Sequence, residues 1–297
     1  ALGNLRARVG DQGRVGRGES NKHAADAWMR VYAHELDISG TRFSAEDLRM
    51  NTVQFGTDVY SRQDGNASVH VGVMASAGES TTTFLDTARA AGGLSTRAGE
   101  VEADVVGGGL YWTRHGGNGG YFDVAAQLLH YRNRYQDQYL AASHQSGWGG
   151  TLSAEIGKAF ALGGNWLLEP QLQLAYQRIE LDGFTDQVSA VSAVNEDALR
   201  GRVGLQLLRA PSRWLGMDDA SPYVAVGAQR DFRDADSITV GNTILAEELP
   251  DTTGDVSVGF NGSVRPGIEL HLGLRYQKSS EGERDGVRGN FGFRMSF

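Results

Sequence analysis

The C-terminal stretch sets the terms for the whole chain. From Val287 the odd positions run Gly289, Phe291, Phe293, Met295 and Phe297, while the even ones run Arg288, Asn290, Gly292, Arg294 and Ser296. That is the period-two signature of a strand with one apolar face. A strand with aromatics along one side needs an apolar cover, and a lipid bilayer supplies one. Comparable alternation recurs along the chain, yet no run reaches the roughly 18 to 20 apolar residues that a membrane-spanning helix requires. With 41 glycines, 5 prolines and a mean hydropathy of −0.35, the chain is glycine-rich and polar. A transmembrane β-barrel accommodates both facts, because half of every strand faces a wet lumen.

The absence of cysteine removes disulfides, thiolate metal sites and a cysteine nucleophile. A net charge of −8 disfavours nucleic acid as a partner. The chain opens on Ala1 without a signal peptide and is expected to be a processed or excised piece of a longer precursor.

Residues 1 to 13 place Leu2, Leu5 and Val9 near one helical face, with Arg6 and Arg8 elsewhere. Such a helix would span about 20 Å, comparable to the apolar band of an outer-membrane barrel. Gly3 and Gly10 weaken it by about 1 kcal/mol each, so the segment needs an enclosing surface. Residues 14 to 22 are basic and glycine-containing and read as a linker.

Strands then follow in series, separated alternately by long polar loops and tight turns. The first, over residues 25–37, alternates poorly, with Trp28, Tyr32 and Leu36 set against Met29, Val31 and Ala33. The second spans about 46–61 and the third about 67–78, joined at Asp64-Gly65, a favoured hairpin pair. A polar loop of about twenty residues is expected next. The fourth strand, over 99–114, opposes Glu100, Glu102 and Asp104 to Val101, Ala103 and Val105, and three acidic side chains on one face suit a water-lined lumen. Phe122, Val124, Ala126 and Leu128 oppose Asp123 and Gln127 on the fifth. On the seventh, over 166–182, Leu168, Leu172, Leu174 and Tyr176 oppose Glu169, Gln171 and Gln173, with a bulge expected at Pro170. The eighth carries Arg200 and Arg202 on its polar face and the eleventh Arg275; residues 237–245 suggest a strand extension above the membrane.

The count is about twelve. An even number brings both ends of the sheet to the side of the tight turns, which is periplasmic in bacterial barrels. A helix ahead of strand one therefore enters the lumen and delivers its N-terminus to the cell surface. The expected fold is an all-β, antiparallel, up-and-down transmembrane barrel of about 12 strands (residues 23–297), with an N-terminal helix and linker (residues 1–22) in the pore.

This arrangement resembles the translocator domain of type Va autotransporters, the secretion family that includes pertactin-like Bordetella proteins. The residues that carry the resemblance are Leu2-Gly3-Asn4-Leu5-Arg6 in the helix, Trp28 with Arg30, Gln54-Phe55-Gly56-Thr57-Asp58, Glu169-Pro170-Gln171, Gly201-Arg202-Val203-Gly204 and Phe297. The resemblance implies a helix-plugged barrel that brings an N-terminal passenger to the surface of a Gram-negative cell. It also implies that Phe291, Phe293, Met295 and Phe297 form a signal read by the barrel-assembly machinery. Some members cut their passenger within the barrel, an activity that this chain does not allow to be carried over. Beyond the passenger and that machinery, the expected partners are outer-membrane lipid and lipopolysaccharide, with the barrel itself a monomer.

The expected lumen set is Glu100, Glu102, Asp104, Asp123 and Glu169, with Asp58, Glu155, Asp255 and Glu269, on the acidic side and Arg200, Arg202, Arg275 and Arg294 on the basic side. The first three are expected to hold Arg6 and Arg8 of the pore helix. An outer-membrane hydrolase and a passive porin are the rival readings. None of the seven histidines sits in a nucleophile-elbow frame, and His70 and His271 are single inward residues. A porin gives no reason for an amphipathic helix ahead of strand one. No phosphate loop, metal cluster or cofactor motif occurs, so no catalytic residue, metal or cofactor is expected.

Overall fold

A computed structural model describes Leu5 and residues 26–40, 42–139, 141–186, 190–214, 217–232, 238–240, 243–245, 252–281 and 283–296. Twelve long strands among these form one antiparallel sheet: β1 Asp26–Ile38, β2 Phe43–Asp64, β3 Ala67–Asp86, β4 Arg97–His115, β5 Gly120–Asp137, β6 Ala142–Lys158, β7 Trp166–Leu181, β8 Val194–Arg209, β9 Met217–Asp231, β10 Thr252–Arg265, β11 Ile268–Ser279 and β12 Arg284–Ser296. Each pairs with the next in sequence, and β12 pairs with β1 from Asp26↔Ser296 to Ile38↔Arg284. Closure leaves no barrel strand with an unpaired edge, the arrangement that a spanning sheet needs where no water can satisfy backbone groups. Among the described residues no helix is long and apolar enough to cross a membrane.

Burial alternates with the pleat and fixes which side chains face in. On β4, Leu110 is 62 % exposed while its neighbours Tyr111 and Thr113 are 2 % and 0 % exposed. The outward row there is Val106, Leu110 and Trp112; on other strands it continues through Leu128, Leu152, Leu172, Val203, Val256 and Leu274. On β12 the outward row is Val287, Gly289, Phe291, Phe293 and Met295, matching the period-two pattern of the sequence, while Phe297 lies outside the described residues. β1, whose alternation read poorly, is regular: Asp26, Trp28, Arg30, Tyr32, His34 and Leu36 are all buried. The contrast is weak in sequence because its inward row carries aromatics as well as charges.

Three expectations about the strands need correction. The polar residues from Glu79 to Asp86 are not loop but the far part of β3, paired with β4 as far as Leu85↔Arg97, so the connection shrinks to residues 87–96 with the one-turn helix Ala88–Ala91. Beyond an apolar band both faces of a strand meet water, so hydrophobic periodicity vanishes while the hydrogen-bond ladder continues. Pro170 causes no bulge: its ladder with β8 runs through Leu205↔Pro170 without a shift. On its other flank β6 ends at Lys158 and pairing resumes at Phe160↔Leu168, as suits a residue with no N–H to donate. Residues Ile238–Val240 and Thr243–Leu245 do form strands, but they pair with each other and with Val191 in a separate four-stranded sheet rather than prolonging the barrel. At the β2–β3 hairpin, Gly65 takes the left-handed backbone (φ 58°) that its turn requires.

Candidate functional site

The candidate site is the lumen. Polar side chains fill it because the inward row of each strand is closed in by the opposite wall, and buried polar groups must satisfy one another. A belt runs across the early strands: Arg30 Nε donates to Gln54 Oε1 at 2.7 Å, and Gln54 Nε2 to Ser76 Oγ at 3.1 Å. Gln127 of β5 reaches the same serine across β4, where Gly107 and Gly109 keep the inner surface free of side chains. On the opposite wall Arg202 meets Asp255 at 3.2 Å, and Arg275 approaches the same carboxylate at 3.6 Å.

Near the tight-hairpin end, a second network surrounds an apolar seat. Leu5 is the one residue described ahead of Asp26; it is helical, 3 % exposed, and clusters with Trp28, Met74, Tyr111, Tyr121 and Ala125 from β1, β3, β4 and β5. Its backbone N–H donates to Glu155 Oε2 at 3.1 Å, and the Tyr121 hydroxyl donates to Glu155 Oε1 at 2.6 Å. Trp28 Nε1 donates to the Tyr111 hydroxyl at 3.2 Å, which in turn donates to Asp58 Oδ1 at 2.5 Å. These rings lie against glycines of the neighbouring strands: a Cβ at Gly56 would sit 2.4 Å from the Trp28 indole, and one at Gly72 would sit 2.2 Å from the Tyr111 ring.

Several of the residues singled out in the sequence point inward. Asp123 is buried and accepts from Thr113 Oγ1 at 2.6 Å; Glu169 is fully buried beside Gln171 at 2.9 Å. Arg200 shares the inward row of β8 with Arg202 and pairs with Asp231 at 2.6 Å toward the long-loop end. Glu100, Glu102 and Asp104 do not join them. They occupy the even positions of β4 with Val106 and Leu110, on the outer surface, where Arg97 pairs with Glu100 and Arg134 lies 3.3 Å from Glu102. Asp104 stands opposite Arg132 in the same outward row. These strands extend past the apolar band, so acidic groups on the outside meet water there. Leu2, Arg6, Arg8 and Val9 lie outside the described residues. Asp58, Glu155 and His70 read as inward residues in the sequence, each without an assigned partner; Tyr111 is the lumen residue that sequence reasoning missed, and only its inward parity, legible once the phase of β4 is known, could have singled it out.

Comparison with known proteins places this geometry in context. A family model described as "Autotransporter beta-domain" matches residues 27–275. The serine protease EspC of Escherichia coli O127:H6 is 25 % identical over 311 aligned residues, which cover 100 % of this chain but 21 % of that protein. The chain thus spans about a fifth of that relative's length. Among solved structures, the transport unit of the autotransporter AIDA-I from Escherichia coli aligns over 97 % of this chain and 95 % of its own with a TM-score of 0.77 at 14 % identity. The β domain of the Bordetella autotransporter BrkA aligns over 92 % of this chain and 100 % of its own, with a TM-score of 0.68 at 19 % identity.

Proposed function

The chain belongs to the autotransporter β-domain family, and from that premise we propose that it is an outer-membrane translocator that anchors a longer protein and delivers an N-terminal passenger to the cell surface. Residues 1–22 thread the lumen as a helix and linker, with Leu2, Leu5, Arg6, Arg8 and Val9 facing its wall, and residues 23–297 form the barrel. The helix N-terminus then points to the cell surface and the C-terminus to the periplasm. The outward row of Phe291, Phe293 and Met295, continued by Phe297, serves the barrel-assembly machinery as its recognition strand, and the outer belt contacts lipid and lipopolysaccharide. The barrel acts as a monomer, and the chain carries no enzymatic step of its own. The protease named in its E. coli relative is a property of that protein.

The observation that carries this reading is the seat of Leu5: a residue ahead of β1 is buried among side chains of four barrel strands and hydrogen-bonded to Glu155. An open, water-filled porin would leave this part of the lumen clear. The reading is tested by fusing an epitope-tagged passenger ahead of residue 1 and adding protease to intact cells. Cleavage of the tag without permeabilisation is the expected result. A tag that becomes cleavable only after the outer membrane is opened contradicts delivery.

A further inference from the structure

At the hairpin end of the lumen, β1, β2 and β3 bring Asp26, Asp58 and His70 together, each less than 9 % exposed, with one donor atom from each within 4.8 Å of the others. Asp26 lies 3.7 Å from Arg294, and that guanidinium is already held by Glu269 at 2.9 Å. Asp58 takes a hydrogen bond from Tyr111 on Oδ1 and faces His70 Nδ1 with Oδ2 at 2.7 Å. Two buried carboxylates this close favour positive charge beside them, and Arg294, the arginine near Asp26, is shared with Glu269.

The geometry points to a divalent transition-metal site built from Asp58 Oδ2, His70 Nδ1 and a carboxylate oxygen of Asp26, completed by lumen water. One imidazole and two carboxylates suit zinc and its neighbours rather than calcium or magnesium, which take oxygen donors in larger number. The surrounding contacts are those that orient such ligands. Ser68 Oγ sits 3.1 Å from His70 Nε2, so Nε2 can carry the proton and Nδ1 can face the metal. Tyr111 occupies Asp58 Oδ1 and leaves Oδ2 to coordinate, while Trp28 fixes Tyr111 in turn. A bound ion would tie together the first three strands of the barrel.

The test is calorimetric titration of tag-free, detergent-folded barrel with zinc chloride, each variant first checked for heat-modifiable gel migration. One ion per barrel is expected, with binding lost in His70→Asn and in Asp58→Asn, roughly tenfold weaker in Ser68→Ala and unchanged in the outward-facing His144→Asn. Cobalt added to the wild type should give the absorption of a protein-bound nitrogen–oxygen site. If the wild type binds no zinc saturably, if cobalt keeps its aqueous spectrum, or if binding survives His70→Asn, the site does not exist.

Discussion

Leu5 and Tyr121 share one carboxylate: the Leu5 backbone N–H takes Glu155 Oε2 at 3.1 Å and the Tyr121 hydroxyl takes Oε1 at 2.6 Å. Because Glu155 is 2 % exposed, its removal takes the acceptor of both these bonds from a buried site, at a cost of about 1–3 kcal/mol for each bond lost. Glu155→Ala is therefore expected to loosen the N-terminal segment and raise both the frequency and the size of channel openings in planar bilayers. Leu5→Asp, which puts a carboxyl group into the apolar seat beside Glu155, should do so more strongly. Records indistinguishable from the wild type would place no weight on this contact.

Asp58 depends on its neighbours to remain buried. Tyr111→Phe withdraws a 2.5 Å hydrogen bond from the carboxylate and leaves Trp28 Nε1 without its acceptor. A loss of about 1–3 kcal/mol is expected, read as a lower urea midpoint in micelles by tryptophan fluorescence. On the opposite wall, Arg202→Met leaves Asp255 with Arg275 alone, 3.6 Å away. Breaking a buried pair costs about 3–5 kcal/mol, and the remaining arginine should hold the observed loss near the lower end.

The outer surface changes character along a single strand. An arginine in the apolar band, as in Leu272→Arg, is expected to destabilise the folded barrel by about 2–4 kcal/mol near the bilayer midplane. Asp104→Arg, on an outward row beyond that band, should stay within about 0.5 kcal/mol of the wild type. Equal losses in vesicle-refolded protein would mean that the apolar band has been drawn at the wrong height.

Replacing Glu100, Glu102 and Asp104 together by serine should leave conductance unchanged, since all three stand on the outside of β4. A rise would return them to the lumen.

That last point shows where the sequence was legible and where it was not. Val287 to Met295 could be assigned a face directly, because the lipid side is uniformly apolar and the lumen side carries Arg288, Asn290 and Arg294. On β4 the same logic slipped by one residue. The run Val105-Val106-Gly107-Gly108-Gly109 erases the alternation that would have carried phase from Leu110 to Glu102, and Val101, Ala103 and Val105 turn out to share the inward row of Tyr111 and Thr113. A shift of one inverts every side chain. Asp58, His70 and Glu155 each read as inward, but the contacts among them and their neighbours were illegible for another reason: the members come from different strands, and only the register of β2 with β3 (Ser61↔His70) and of β5 with β6 (Asp123↔Glu155) brings them together.

The central claim is that the chain ahead of β1 occupies the lumen of a closed barrel. Single-channel conductance in a planar bilayer, compared between the whole chain and a version lacking residues 1–22, tests it most directly. The account predicts small, infrequent openings for the whole chain and a large, stable increase on deletion. Equal conductance for the two would contradict it.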